Sequence, residues 1–255
     1  MTKRMRRSMA KKTYIILILM ITTLLAVGCK RDQEASLTQD RPAVIESSES
    51  SLQQVASALN LKAFTAEEKL TRLLQRLAKD NSAQLRGLEH RLKTKSSTLR
   101  KLKKMHLEDP KVSAASLKIS DTLRYTLEIS DEPKGHYVKV IQLVFKTLET
   151  EGHQVVKVKN YWPRGDNYSG VNAVLSTSKG FEWELQFHTP ASYREAKQSH
   201  EMYEKLRATE TSLSERQSLF TEMAKPWDQI DIPSEVLTPM NLHPKEEIKK
   251  WDAPQ

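Results

Sequence analysis

From Phe181 to His188 the chain alternates without a fault: Phe181, Trp183, Leu185 and Phe187 are large and apolar, while Glu182, Glu184, Gln186 and His188 are polar. Successive side chains of a strand point to opposite faces, so this run predicts a strand with one buried face and one polar face. A second run behaves alike, with Leu123, Tyr125, Leu127 and Ile129 set against Thr122, Arg124, Thr126 and Glu128. Shorter strands are expected at 155–159 and 171–177, joined by a loop holding Pro163, Gly165, Asp166, Asn167 and Gly170. Between the strands the period changes to that of a helix. Val138, Ile141, Phe145 and Leu148 predict an inward helical face over 137–151. Thr65-Ala-Glu-Glu68 has the form of a capping box ahead of Leu70, Leu73, Leu74 and Leu77, and a strongly basic helix is expected over 83–104. Pro190 after Thr189 opens a further helix to about Arg207. Helices interleaved with strands predict an α+β (mixed α/β) domain, a small mixed sheet flanked by helices.

Composition matters through its distribution. The chain has 41 Lys+Arg against 32 Asp+Glu, but Lys3, Arg4, Arg6, Arg7, Lys11 and Lys12 lie in the first 28 residues, which hold no acid; 35 basic residues remain against the 32 acidic ones. The excess charge is therefore local, and it gives no general argument for nucleic-acid binding. The basic stretch leads into the apolar run Tyr14 to Val27 and then Gly28-Cys29. That run is short for a bilayer span. It resembles a bacterial lipoprotein signal, with residues 1–28 removed and Cys29 lipidated by palmitate-type acyl chains. Each buried methylene contributes about 0.8 kcal/mol to such an anchor. Lys30 stands where an inner-membrane retention signal would have Asp, so the expected location is the periplasmic side of the envelope, with the outer membrane preferred. The alternative is an uncleaved signal anchor carrying an ordinary thiol. A single Cys also excludes a disulfide scaffold and any cysteine-held zinc or iron–sulfur centre.

The division expected along the chain is a signal peptide over 1–28, a flexible tether over 29–62, the globular domain over 63–207 and a C-terminal extension over 208–255. The tether is rich in Ser, Gln, Asp and Glu. The extension holds Pro226, Pro233, Pro239 and Pro244 and is expected to wrap the domain, with one short helix and with Trp227 and Trp251 as packing anchors.

A polar sheet face is usually only solvated, but here Glu184 and Arg124 share such faces with a nearby basic segment containing Arg91, Lys93, Ser97 and Lys101. Cations of this kind suit polyphosphate, and the carboxylates suit Mg²⁺ or a proton. No glycine-rich phosphate loop accompanies them.

These residues resemble the synthetase domain of RelA/SpoT-type enzymes, which make the alarmone (p)ppGpp. Arg91, Lys93, Ser97 and Lys101 reproduce the Arg-x-Lys-x-x-x-Ser-x-x-x-Lys spacing of the family's ATP-gripping segment. Asp121-Thr-Leu-Arg124-Tyr125 is similar to its Asp- and Arg-bearing strand. Gly165-Asp-Asn-Tyr168-Ser-Gly170-Val-Asn172 resembles its acceptor loop, and Glu184-Leu-Gln186-Phe-His188-Thr189 resembles the strand with its catalytic carboxylate. The branch most resembled is that of phage-head and secreted-toxin proteins, and the likeness spans about 83–207. Asn172 stands where many relatives have His, and His188 where many have Arg.

The resemblance implies a nucleotidyltransferase-like sheet that transfers pyrophosphate from ATP to the 3′-hydroxyl of GDP, GTP, another nucleotide or an RNA end. In that assignment Arg91, Lys93, Ser97 and Lys101 contact the donor; Asp121 and Glu184 hold Mg²⁺; Glu184, Asp121 and Arg124 are catalytic. Tyr168 stacks on the acceptor base, with Asn172, Gln186 and His188 beside it. A second reading stays open: a non-catalytic envelope lipoprotein that keeps the fold as a nucleotide- or protein-binding module, since the periplasm does not normally supply ATP.

Overall fold

The computed structural model describes residues 40–163, 167–208, 210–240, 242, 244 and 246–248, with side chains from Glu49 onward. Cys29, Gly165 and Trp251 lie outside the described residues, as does the whole signal segment. The chain divides into a unit Met1–Val44, described only as helical backbone from Asp40, and a unit Ile45–Gln255 that carries everything below. No described helix is long and apolar enough to cross a membrane.

The sheet has six strands: β1 (Gln84–Arg86), β2 (Arg124–Glu128), β3 (Gln154–Asn160), β4 (Val171–Ser176), β5 (Glu182–His188) and the short β6 (Glu247–Ile248), of which β2 to β5 lie where the sequence places strands and β1 and β6 do not. They make one mixed sheet in the order β1-β2-β5-β4-β3-β6. β2 and β5 are parallel, as are β3 and β6, and the other pairs are antiparallel. The helices are α1 (Asp40–Asp80), α2 (Lys95–Glu108), α3 (His136–Thr150), α4 (Pro190–Gln198), α5 (His200–Arg207) and α6 (Leu213–Trp227).

One sheet face is the core. Leu70, Leu74 and Leu77 of α1 and Ile141, Val144 and Phe145 of α3 pack on Tyr125, Leu127, Ala173, Leu175, Trp183 and Phe187. Burying an aliphatic or aromatic side chain of this size contributes about 1.5–3 kcal/mol. Edge-on ring pairs fix the fit, with Phe145 and Phe187 5.3 Å apart at 86° and Tyr125 and Trp183 6.0 Å apart at 87°. With both helices on this side, the alternate residues of β2, β4 and β5 face the other way. That opposite face holds the site.

Five expectations change. Residues 40–62 are helix rather than tether, because Leu52 and Ala56 bury against Leu102, Leu117 and Ile119. Thr65 therefore caps nothing; its hydroxyl donates to the Leu61 carbonyl at 2.8 Å inside α1. The expected helix over 83–104 is β1, a 3-10 turn at Leu88–His90 and a loop, with α2 beginning only at Lys95. Gly87 at φ 61 breaks the helical path, and Thr94 accepts from the Ser97 amide as N-cap. The helix after Pro190 divides at Ser199, whose hydroxyl bonds the Glu195 carbonyl. The extension is more ordered than a tail with a short helix: α6 has 15 residues, and Val236 and Met240 beyond it belong to the main core.

Candidate active site

Register on the polar face decides which side chains meet. The parallel pairing of β2 with β5 sets Arg124 beside Glu184 and Thr126 beside Gln186. The antiparallel pairing of β4 with β5 sets Asn172 on the other flank of Gln186. Gln186 then holds its neighbours in place: Thr126 donates to its Oε1 at 3.3 Å, and its Nε2 donates to Glu184 Oε1 at 2.7 Å. Burial raises the Glu184 pKa above its ordinary value against the pull of Arg124, and the charge of Asp121 adds to the rise. Arg124 makes no ion pair or side-chain hydrogen bond among the described residues, so its guanidinium is available to an anion.

The cations reach this face by a second route. The segment 91–93 runs alongside 122–124: the Arg124 amide donates to the Arg91 carbonyl at 2.8 Å, and the Lys93 amide donates to the Thr122 carbonyl at 3.1 Å. Lys93 is thereby delivered to Asp121, in the 3-10 turn Ser120–Thr122 that precedes β2. Lys93 Nζ donates to Asp121 Oδ2 and Lys101 Nζ, from α2, to Oδ1, both at 2.9 Å. Burial alone would raise the Asp121 pKa, but the charges of Lys101 and Lys93 outweigh it and hold the carboxyl below its ordinary range. Lys101 and Asp121 both act electrostatically on Glu184, so the lysines, the two carboxylates and Arg124 form one charged group. Asp121 and Glu184 are the two carboxylates of that group. No cluster of three or more His, Cys, Asp or Glu occurs among the described residues.

The far end of β5 is different in character. Tyr168 OH donates to Asn172 Oδ1 at 2.7 Å and lies 2.9 Å from His188 Nε2, while His188 Nδ1 lies 3.0 Å from Ser192 Oγ. Both ring nitrogens of His188 are thus engaged, Nε2 with Tyr168 and Nδ1 with Ser192. Its pKa is lowered to about 3 by burial and by Arg124. Ser192 is in turn held by the capping box that opens α4, where Thr189 and Ser192 satisfy each other's backbone amides. Gly170 is the closest approach: a Cβ there would stand 3.1 Å from His188 Cε1, 3.1 Å from the Phe187 carbonyl and 3.2 Å from Tyr168 OH.

No family model matches the sequence, and no curated protein does. Solved structures do. The chain is similar to the type VI effector Tas1, crystallised with its immunity protein, at 18% identity and a TM-score of 0.43 over 68% of this chain and 94% of that one. It is similar to the small alarmone synthetase 2 from Bacillus subtilis, at 18% identity and 0.46 over 66% and 88%. The small alarmone synthetase 1 from Bacillus subtilis, bound to its product pppGpp, matches at 16% identity and 0.45 over 65% and 86%.

The structure brings Lys93, Lys101, Asp121, Arg124, Glu184 and Gln186 together and sets Tyr168, Asn172 and His188 beyond them along the same face. Arg91 is otherwise engaged. Its Nε donates to Glu67 Oε1 of α1 at 2.7 Å and it also bonds the Leu88 carbonyl, so it ties α1 to the site's rear. Ser97 sits in the first turn of α2, accepting from the Thr94 hydroxyl at 3.0 Å. Glu67 and Ser192 are residues sequence reading did not assign, and Trp227, expected as a packing anchor, packs against Tyr168. Ser192 had a signal, since Thr189-Pro-x-Ser is a capping pattern; the partners of Glu67 and Trp227 are distant in sequence and left none.

Proposed function

We propose that the chain is a nucleotide pyrophosphotransferase that moves the β,γ-pyrophosphate of ATP to the 3′-hydroxyl of a second nucleotide, and that Cys29 anchors it by lipid to the periplasmic side of the envelope. The observation that carries the catalytic reading is the convergence of Arg124, Lys93 and Lys101 on two carboxylates, Asp121 of the turn before β2 and Glu184 of β5. The anchor rests on the Gly28-Cys29 junction of the sequence.

The acceptor's 3′-oxygen attacks the β-phosphorus of ATP, the Pα–O–Pβ bond breaks, AMP leaves with the bridging oxygen, and the 3′-hydroxyl proton goes to Glu184. Burial suits Glu184 to that task, because a carboxylate with a raised pKa is a better base. Its Oε1 is held by Gln186 and its other oxygen makes no hydrogen bond among the described residues. Arg124 faces the charge that develops on the transferred group. Lys93 and Lys101 lie where the donor's phosphates would enter, and Asp121 keeps both ammonium groups oriented.

Mg²⁺ fits these residues. Asp121 raises the pKa of Glu184, so the two carboxylates repel each other, and a divalent cation relieves that repulsion. One or two carboxylates together with substrate phosphates are the usual Mg²⁺ ligand set. When bound, the ion neutralises phosphate charge. On the acceptor side, Tyr168 offers an aromatic surface for the base, oriented by Asn172 and His188.

The test uses the full chain with Mg²⁺, γ-labelled ATP and a panel of GDP, GTP, ADP, ATP and short RNA acceptors. The expected result is a labelled acceptor and an equal yield of AMP in the wild type, with neither from Glu184→Gln. Nucleotide binding without transfer would establish a binding module instead. Fatty-acid labelling of wild type and Cys29→Ser decides the anchor: a label that survives the substitution removes it.

A further inference from the structure

The C-terminal extension has no part in the chemistry above, yet it touches the acceptor loop twice. First, Trp227, the last residue of α6, packs on the ring of Tyr168 with centroids 5.8 Å apart and planes inclined at 55°. Second, Asn160 at the end of β3 is fully buried and uses both ends of its amide as a clamp. Its Oδ1 accepts from the Trp162 amide at 3.0 Å, at the root of the acceptor loop, and its Nδ2 donates to the Val236 carbonyl of the extension at 2.7 Å.

Burial tells which side of Tyr168 the tryptophan occupies. Trp227 is 5% exposed, whereas Tyr168 is only partly buried. A plug entering the cleft from solvent would be the outermost ring of the pair. Trp227 is the more enclosed ring of the pair, packed against one side of Tyr168 and not capping it from solvent. The hydroxyl end of Tyr168 is fixed by Asn172 and His188, and Tyr161 meets the ring at 84° with a 5.3 Å separation. The ring is thus held at its tip by β4 and β5, and at its side by the extension.

The segment carrying Trp227 is itself firmly placed. α6 shares a small apolar cluster with α5 through Leu206, Leu219 and Met223. Just past Trp227 the chain runs into the main core: Ser234 N donates to Asp131 Oδ2 at 2.8 Å, Gln142 Nε2 donates to the Met240 carbonyl at 2.7 Å, and Val236 and Met240 are buried. A tryptophan anchored on both sides is a rigid backing.

We propose that Trp227 is a positioning residue of the acceptor subsite, holding the Tyr168 ring in the attitude needed to stack on a nucleobase, so that the extension tunes acceptor binding and leaves donor binding alone. This rests on the pyrophosphotransferase reading of the same site. Its signature is an asymmetry. The donor's cations, Lys93 and Lys101, are set by Asp121 and α2, on elements that the Trp227 contact does not include.

The experiment compares full-length wild type, Trp227→Ala and Trp227→Phe in two binding titrations, one with α,β-methylene-ATP and one with the acceptor that the panel selects, and adds amide exchange over residues 167–172. The expected result for Trp227→Ala is acceptor binding weakened about tenfold, ATP-analogue binding unchanged within about twofold, and faster exchange in 167–172 than in β5. Trp227→Phe should recover most of the affinity. Equal loss of both ligands, no loss of either, or a Phe variant as poor as Ala would overturn the inference. If the wild type binds no nucleotide, the functional reading fails, and the exchange arm still decides the backing role: unchanged exchange in 167–172 on losing the indole would refute it.

Discussion

Arg124 and Glu184 are direct neighbours on the parallel strands β2 and β5, paired in register although sixty positions separate them in sequence. Their pairing joins a fixed positive charge to a carboxyl that burial has pushed toward protonation. The consequence is a trade between activity and stability. A carboxyl whose folded pKa lies above its unfolded value destabilises the fold once pH rises past the unfolded value, and the native state regains that loss as pH falls through the folded pKa. Glu184→Gln should therefore abolish transfer while leaving the melting temperature at pH 7 equal to wild type or higher, checked by product formation and thermal unfolding side by side. A loss of both would show that the carboxylate is structural.

Asp121 has the opposite sign. Its folded pKa is depressed, so its contribution to stability is present above the unfolded value and disappears as pH falls through the folded one. Asp121→Asn removes the charge that two lysines share. Since Lys101 is more than a third exposed, the expected cost is modest, roughly 1–2 kcal/mol in a denaturant titration at pH 7. Repeated near pH 3, the difference between the variant and wild type should shrink.

His188 should remain neutral across the physiological range, because its folded pKa is lowered to about 3. The unfolded state takes up a proton below about 6.5 and the native state does not, so His188 costs stability progressively as pH drops from there. Nitrogen chemical shifts of the ring should stay those of a neutral imidazole from pH 5 to 8. The acid limb of the stability curve should flatten in His188→Gln.

Gly170→Ala tests the packing at the head of β4. The added methyl would press on His188 and Tyr168, which have some freedom, and on the Phe187 carbonyl, which accepts from Tyr137 OH at 2.7 Å and has little. Overpacking of this kind costs about 1–3 kcal/mol. The expected phenotype is a higher KM for the acceptor with the KM for ATP close to wild type, measured by varying each substrate in turn.

Much of this architecture was legible in the sequence, for identifiable reasons. The run at 181–188 is read correctly because its period of two and its burial agree at every position. The segment 83–104 misleads because Leu85, Leu88 and Leu92 fit a helical spacing, while the contacts that make it strand and loop are with Leu123 and Thr126, far along the chain. Gly87 and the Thr94-x-x-Ser97 cap were the local cues to the break. The helix over 40–62 also left a trace, since Leu52, Val55, Ala56 and Leu59 repeat at helical spacing beneath a very polar composition. At the site, residue types and order could be read from motifs. The sharing of Asp121 by two lysines, the diversion of Arg91 to Glu67 and the seat of Trp227 depend on tertiary neighbours.

The burial of Val236 and Met240 in the central core has a consequence for how such a chain comes into being. A polypeptide halted on the ribosome anywhere short of residue 240 lacks the pieces that complete the apolar interior. Cutting the chain before Val236 is therefore a deletion of core volume and not the trimming of a tail, and a fragment that stops there would keep every strand from β1 to β5 yet expose the apolar surface these two side chains cover.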